Sequence, residues 1–223
     1  MSNLIVSYHG LIPYEQGRKL QRVTHQLVSK GGSDQLILLQ HPHVYTLGRR
    51  GNEEDILIDA QGLAEYGIAV HHTDRGGEVT YHGPGQLIGY PIINLKRIKN
   101  ITPLKYVAKL QTSIASVLCQ FNIYSDSENR PTGVWVKGEK IAALGVRISE
   151  GTSSHGFALN VDTDLSYFDH IVACGMPEAL ATSISAQTRC HVAVEQVTRQ
   201  VADSISDTFG LTLIWKDETL SKR

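Results

Sequence analysis

The chain has 223 residues, 41% of them hydrophobic and 19% charged, long enough to bury a sizeable core and short enough to form one domain over residues 1–223. Its 21 basic and 22 acidic residues leave a net charge of -1, so no overall basic field attracts nucleic acid or anionic lipid. The opening "MSNLIVSYHG" lacks the basic region and apolar run of a secretory signal, and no run of about 18 apolar residues follows that would span a bilayer, so a cytoplasmic protein without a membrane partner is expected.

In chain order, "LIVSYHGLIPYEQGRKLQRVTHQLVSKGG" reads as a short strand, a turn at Pro13, and a helix with Leu20, Val23, Leu27 and Val28 on one face. "DQLILLQHPHVYTLGRRG" gives two strands separated by a His-Pro break. Leu63, Ala64 and Tyr66 indicate a turn or two of helix before a strand in "GIAVHHT". Thr102-Pro103 is a helix start, a capping hydroxyl followed by proline at the first helical position. Beyond it Val107, Leu110, Ile114, Val117, Leu118 and Phe121 keep helical spacing. "GVWVKGEKIAALGVRIS" reads as a hairpin turning near Gly138-Glu139, and "HGFALNVD" as a further strand. Val194, Val197, Val201, Ile205 and Phe209 mark a helix stopped by Gly210, before a last strand in "LTLIW". Strands outnumber helices and short turns join many of them. That pattern predicts an α+β fold, a mixed and mostly antiparallel sheet with helices packed on one face.

The stretch "RGGEVTYHGPGQLIGYP", residues 75–91, holds five glycines in 17 residues. A P-loop would need a lysine-hydroxyl pair after its last glycine, and a dinucleotide fingerprint would need a following helix. Here strand-like sequence follows instead, so the stretch is read as strand and turn whose missing side chains let a ligand approach the backbone. Turns and bulges alone account for the glycines about equally well on composition. His82 sits at the edge of this surface.

The three cysteines, Cys119, Cys174 and Cys190, fit neither a disulfide framework nor a metal-binding pair, and at least one has no intrachain partner. Cys174 stands out because Gly175 leaves room around it and Pro177-Glu178 announces a helix, whose N-terminus favours a thiolate. Lys140 has glycine and alanine neighbours, although most lysines are solvated surface residues. His41 with His43, and His71 with His72, lack the carboxylate or thiol spacing of a metal site, so no metal is expected.

The segments "HPHVYTLGRRG", "RGGEVTYHGPGQLIGYPI", "RPTGVWVKGEKIAALGVRI", "HGFALNVDTDL" and "IVACGM" resemble, in order and spacing, the octanoyltransferases of lipoate biosynthesis. The resemblance runs from about His41 to Ser183. It implies a fold like that of biotin and lipoate protein ligases and a transfer that uses no cofactor. The octanoyl group would pass from octanoyl acyl carrier protein to a lysine of lipoyl domains, in E2 subunits of 2-oxoacid dehydrogenases and in the glycine cleavage H protein. By this resemblance Cys174 carries the thioester and Lys140 lowers its pKa. Substrate-binding positions fall on Arg75, Gly76, Gly77, Glu78, Val79, Thr80, Tyr81 and His82, on Ala143, Leu144 and Gly145, and on Gly156, Phe157 and Ala158. Two alternatives remain. One is an ATP-dependent lipoate or biotin ligase of the same fold, which needs no cysteine nucleophile. The other is a binding module that keeps the pocket without the chemistry.

Overall fold

Period-2 burial in the strands and two tight hairpins set the register of the main sheet. The structure is a computed structural model that describes residues 2–172 and 180–216. Its strands are β1 (Asn3–Leu11), β2 (Asp34–Gln40), β3 (Val44–Leu47), β4 (Ala69–His72), β5 (Val79–His82), β6 (Gln86–Ile92), β7 (Val134–Val136), β8 (Glu139–Ser149), β9 (Thr152–Asn160) and β10 (Thr212–Trp215). Its helices are α1 (Tyr14–Ser29), α2 (Ala60–Glu65), α3 (Pro103–Cys119), α4 (Ile184–Thr188) and α5 (Val194–Phe209). Lys137 and Gly138, with φ of 51° and 85°, make the two-residue turn between β7 and β8, and Glu150 and Gly151, at 54° and 80°, make the one between β8 and β9. Paired left-handed residues match the twist of the strands they join.

Seven strands form one sheet in the order β10-β1-β2-β6-β9-β8-β7, and β4-β3-β5 form a second, smaller one. In the large sheet β1 is parallel to β10 and β2, and the remaining pairs are antiparallel. The expected mixed, mostly antiparallel α+β architecture is present. The sheet is covered on both sides, however, where helices on one face were expected. Leu36 and Leu38 point into a core with α3 and α5, while Ile37 and Leu39 point to the opposite side and pack with Val28 of α1.

Helix α1 also buries a different face from the one its apolar residues predict. Tyr14, Gly17, Gln21, Thr24 and Val28 are inward, and Val23 and Leu27 are 48% and 55% exposed. Beyond the Val28 contact with Ile37 and Leu39, the helix packs on polar groups. A Cβ on Gly17 would lie 2.8 Å from the His41 ring, and Gln21 Oε1 accepts the His155 N–H at 2.8 Å. The start of α3 and the stop of α5 match the sequence reading: Thr102 accepts from the Lys105 N–H, and Gly210 closes α5 at φ 66°.

Candidate active site

Strand β7 covers β8 only as far as Ala142, and the glycine-rich loop closes over the rest of that edge. Gly76 N–H donates to Val146 O at 3.2 Å. The buried Arg75 guanidinium shapes the loop from within, donating to Thr46 O at 2.6 Å, Gly76 O at 3.0 Å and Glu78 O at 2.8 Å. Gly77 has φ of 96°, a conformation that L side chains resist. A Cβ on Gly145 would lie 2.9 Å from Gly76 O and 3.2 Å from Arg75 Cδ. The glycines therefore bring backbone against backbone at this edge, while Gly76, Gly77, Gly145 and Gly156 also line the cavity. Gly145→Val is expected to push the loop off β8 and lower stability by about 1–3 kcal/mol, measurable as a reduced urea midpoint; an unchanged midpoint would mean that the loop gives way freely.

Alternation along the strands sorts the sequence-predicted positions. In β5, Thr80 and His82 face a cavity of about 690 Å³ that Arg75, Gly76, Gly77 and Glu78 also line. Val79 and Tyr81 do not face it. They are fully buried beneath the smaller sheet with Tyr45 and Leu47, because neighbouring residues of a strand point to opposite sides. Ala143, Gly145, Gly156 and Ala158 line the cavity, and so do Leu144 and Phe157 from the other face of the sheet. The cavity is therefore lined by residues from both faces of the sheet at β8 and β9. Sequence reading missed further lining residues, among them Tyr14, Tyr90, His155, Leu104 and Val107. Tyr90 lies within the glycine-rich stretch, the others come from three separate segments outside it, and no local pattern marks them.

Lys140 lines the same cavity. Its ammonium lies 4.7 Å from the centre of the Trp135 ring, and the Trp135 indole N–H is held by Pro131 O at 2.8 Å. The Lys140 backbone is clamped by the chain that follows Cys174: its N–H donates to Leu180 O at 2.8 Å, and its carbonyl accepts from Thr182 N–H at 3.0 Å. On the other side Val172 N–H donates to Asp55 O at 2.8 Å. Cys174 itself lies outside the described residues. Cys119 and Cys190 are exposed and line no part of the cavity.

Beside Arg75 and Glu78 the polar end of the cavity presents the His82 and His155 rings, and His41 lies against His82. Burial, reinforced by the neighbouring His41, pushes the His82 imidazole down to about 3, and burial holds His41 at about 4. His41 Nδ1 donates to Ile12 O at 2.8 Å, and its Nε2 lies 2.9 Å from the Tyr90 hydroxyl. His155 is also pushed down to about 3, by burial and then by nearby arginines, Arg75 foremost. Asp74, 2.8 Å away, opposes this, but that carboxylate is shared with Arg147. Toward the sheet the surface is apolar, with Ile88, Ala143 and Ala158. Such a cavity suits a neutral, extended chain with a reactive polar end beside Lys140. Among the described residues no group of three or more His, Cys, Asp or Glu is placed to hold a metal ion, and no helix is long and apolar enough to cross a membrane.

Residues 13–206 match the family described as the lipoyl protein ligase A/B catalytic domain. An octanoyltransferase of Solibacter usitatus is 45% identical over 187 residues, 83% of this chain and 84% of that one. One from Mycobacterium tuberculosis is 40% identical over 208 residues, covering 92% and 86%. Among solved structures, a bipartite lipoate protein ligase from Thermoplasma acidophilum superposes with a TM-score of 0.72 at 14% identity, covering 99% of this chain and 89% of that one. A biotin protein ligase from Aquifex aeolicus gives 0.52 at 14% identity, covering 94% and 70%. The structures bear on the fold and the sequence relatives on the lineage: the chain belongs to the lipoyl protein ligase A/B catalytic-domain family, grouped with its octanoyltransferases.

Proposed function

We propose that the protein is an acyltransferase that moves an octanoyl group from octanoyl acyl carrier protein to a lysine of a lipoyl domain. The acceptors are E2 subunits of 2-oxoacid dehydrogenases and the glycine cleavage H protein, and the intermediate is a thioester on Cys174. The observation that carries this reading is one cavity that joins an apolar floor to Lys140, whose backbone is held by the chain following Cys174.

In the first half-reaction the Cys174 thiolate attacks the carbonyl carbon of the donor thioester, and the bond to the carrier's sulfur breaks. Lys140 ammonium favours the thiolate as a neighbouring opposite charge and gives its proton to the departing thiolate. The acceptor lysine amine then attacks the acyl-enzyme, Cys174 leaves as thiolate, and the neutral Lys140 takes the amine proton. The cycle ends with both groups as they began. The seven carbons beyond the carbonyl contribute about 5–6 kcal/mol of gross transfer free energy at ~0.8 kcal/mol per buried methylene. That is enough for an apolar floor to distinguish chain lengths.

Intact-mass analysis of the protein mixed with octanoyl acyl carrier protein is expected to show one octanoyl adduct, absent from Cys174→Ala. Lack of an adduct on the unmodified protein would overturn the scheme. Product formed from free octanoate and ATP, but not from the acyl carrier, would assign it to the ligases instead.

A further inference from the structure

A buried row of polar side chains crosses from the glycine-rich loop to the clamp on Lys140. At one end Arg75 donates through Nε and Nη2 to Thr46 Oγ1, at 3.2 and 2.9 Å. Thr46 Oγ1 lies 3.4 Å from His82 Nε2, and His82 Nδ1 lies 2.8 Å from Gln86 Oε1. Gln86 Nε2 meets Asn160 Oδ1 at 2.8 Å, and Asn160 Nδ2 meets Thr182 O at 2.9 Å. Gln86 and Asn160 are 1% and 4% exposed. The row links β3, β5, β6 and β9, and therefore both sheets.

The far end fixes the direction of every link. Thr182 O is a backbone carbonyl and only accepts, so Asn160 must turn its amide nitrogen there and its oxygen toward Gln86. Gln86 must then donate to Asn160, as it also does to Tyr81 O at 3.3 Å, which leaves its oxygen for His82. His82 therefore carries its proton on Nδ1, and the Nε2 lone pair accepts from the Thr46 hydroxyl. Thr46 in turn accepts from a guanidinium that only donates. Every donor points the same way, from a cation to a carbonyl, the arrangement in which hydrogen bonds polarise one another. Burial that keeps the His82 ring neutral preserves this order, since a second ring proton would reverse the Thr46 link.

We propose that Asn160 is a positioning residue for acyl transfer, the last link of a one-directional hydrogen-bond chain that ties the glycine-rich loop at Arg75 to the backbone clamp of Lys140. The Thr182 carbonyl that Asn160 holds belongs to the residue whose N–H bonds the Lys140 carbonyl. This rests on the reading of Lys140 and Cys174 given above. Asn160→Asp nearly preserves shape and still accepts from Gln86, but it sets an oxygen against Thr182 O. That contact drives residue 182 away and loosens the clamp.

The test is rapid-quench acylation by octanoyl acyl carrier protein between about pH 6 and pH 9, with folding checked by circular dichroism. Asn160→Asp is expected to acylate on the order of tenfold more slowly near pH 7, with the rate–pH profile displaced upward and KM for the carrier changed less than kcat. A folded variant whose profile superimposes on the unmodified protein's, even at uniformly lower amplitude, would reduce Asn160 to a structural role and overturn the proposal. The direction of the chain is checked without any variant by nitrogen NMR of the labelled protein. The Nδ1–H tautomer of His82 is expected, and the Nε2–H tautomer would overturn it. If the unmodified protein forms no adduct at all, the reaction scheme falls; an adduct with an unshifted Asn160→Asp profile sinks this inference alone.

Discussion

Lys140→Ala is expected to slow acylation of Cys174 by at least about a hundredfold near neutral pH, within the range that removal of a proton-transferring group costs. The substitution leaves the two backbone bonds to Leu180 and Thr182 in place, so the clamp survives and the loss reports on the ammonium alone. Without that charge only a few per cent of an ordinary thiol is thiolate near pH 7, and this accounts for a factor of about thirty. The remainder comes from the proton that Lys140 no longer supplies to the departing carrier thiolate. Raising the pH restores the first contribution and leaves the second, so the variant's rate should climb toward pH 9 without reaching that of the unmodified protein. Lys140→Arg keeps the charge but holds its proton too firmly to pass it on, and is expected to fall between the two. Stability should change little, since the ammonium's contact with the Trp135 ring is worth only about 0.5–1 kcal/mol at a partly open site. Rapid-quench rates equal to those of the unmodified protein at neutral pH would remove Lys140 from the reaction.

The glycine-rich stretch shows how far the sequence carries and where it stops. That it is no phosphate loop follows from residues 86–92, which are strand in the structure. That it belongs to the site follows from its resemblance to a known family, and the cavity gathers most of the expected positions. Period 2 then excludes Val79 and Tyr81, a restriction that is legible once a strand from Val79 is assumed. What the sequence does not disclose is that residues 79–82 and 86–92 enter different sheets, so that one continuous motif bridges two layers. Nor does it disclose that Gly145 is a contact point for Gly76, because nothing in one segment specifies its approach to another. Helix α1 fails for a related reason. Apolar spacing finds a helix, but its buried face is chosen by Gly17 against His41 and by Gln21 on the His155 N–H. Helices α3 and α5 pack on aliphatic neighbours, and there the apolar pattern and the buried face coincide.

Lowering the pH from 7 to 5 is expected to destabilise the fold by at least about 4 kcal/mol, about 2 kcal/mol each from His41 and His82, with His155 adding in the same direction. Both rings are buried, and their imidazoles sit at about 4 and about 3, against roughly 6.5 in an unfolded chain. As pH falls through about 6.5 the unfolded state gains protons that the folded state refuses, so stability drops from about 6.5 down to about 4 for His41 and to about 3 for His82, and is flat above that window. At pH 5 the solution lies about 1.5 units below the unfolded value while both folded rings stay neutral, and at 1.36 kcal/mol per unit this is about 2 kcal/mol apiece. Asp34 acts in the opposite direction: burial raises its carboxyl, so it takes up a proton in the folded state first and stabilises only at the acid end. Neither histidine can relieve its burial by swinging out, because Ile12 O and Tyr90 hold one and Gln86 holds the other. Urea unfolding at the two pH values measures the difference. His82→Asn, whose amide N–H can still reach Gln86, should lose about 2 kcal/mol of the pH dependence while keeping the neutral-pH fold. A midpoint that does not move between pH 7 and 5 would mean that the buried rings accept protons in place. An undiminished pH dependence in His82→Asn would move the effect to other groups.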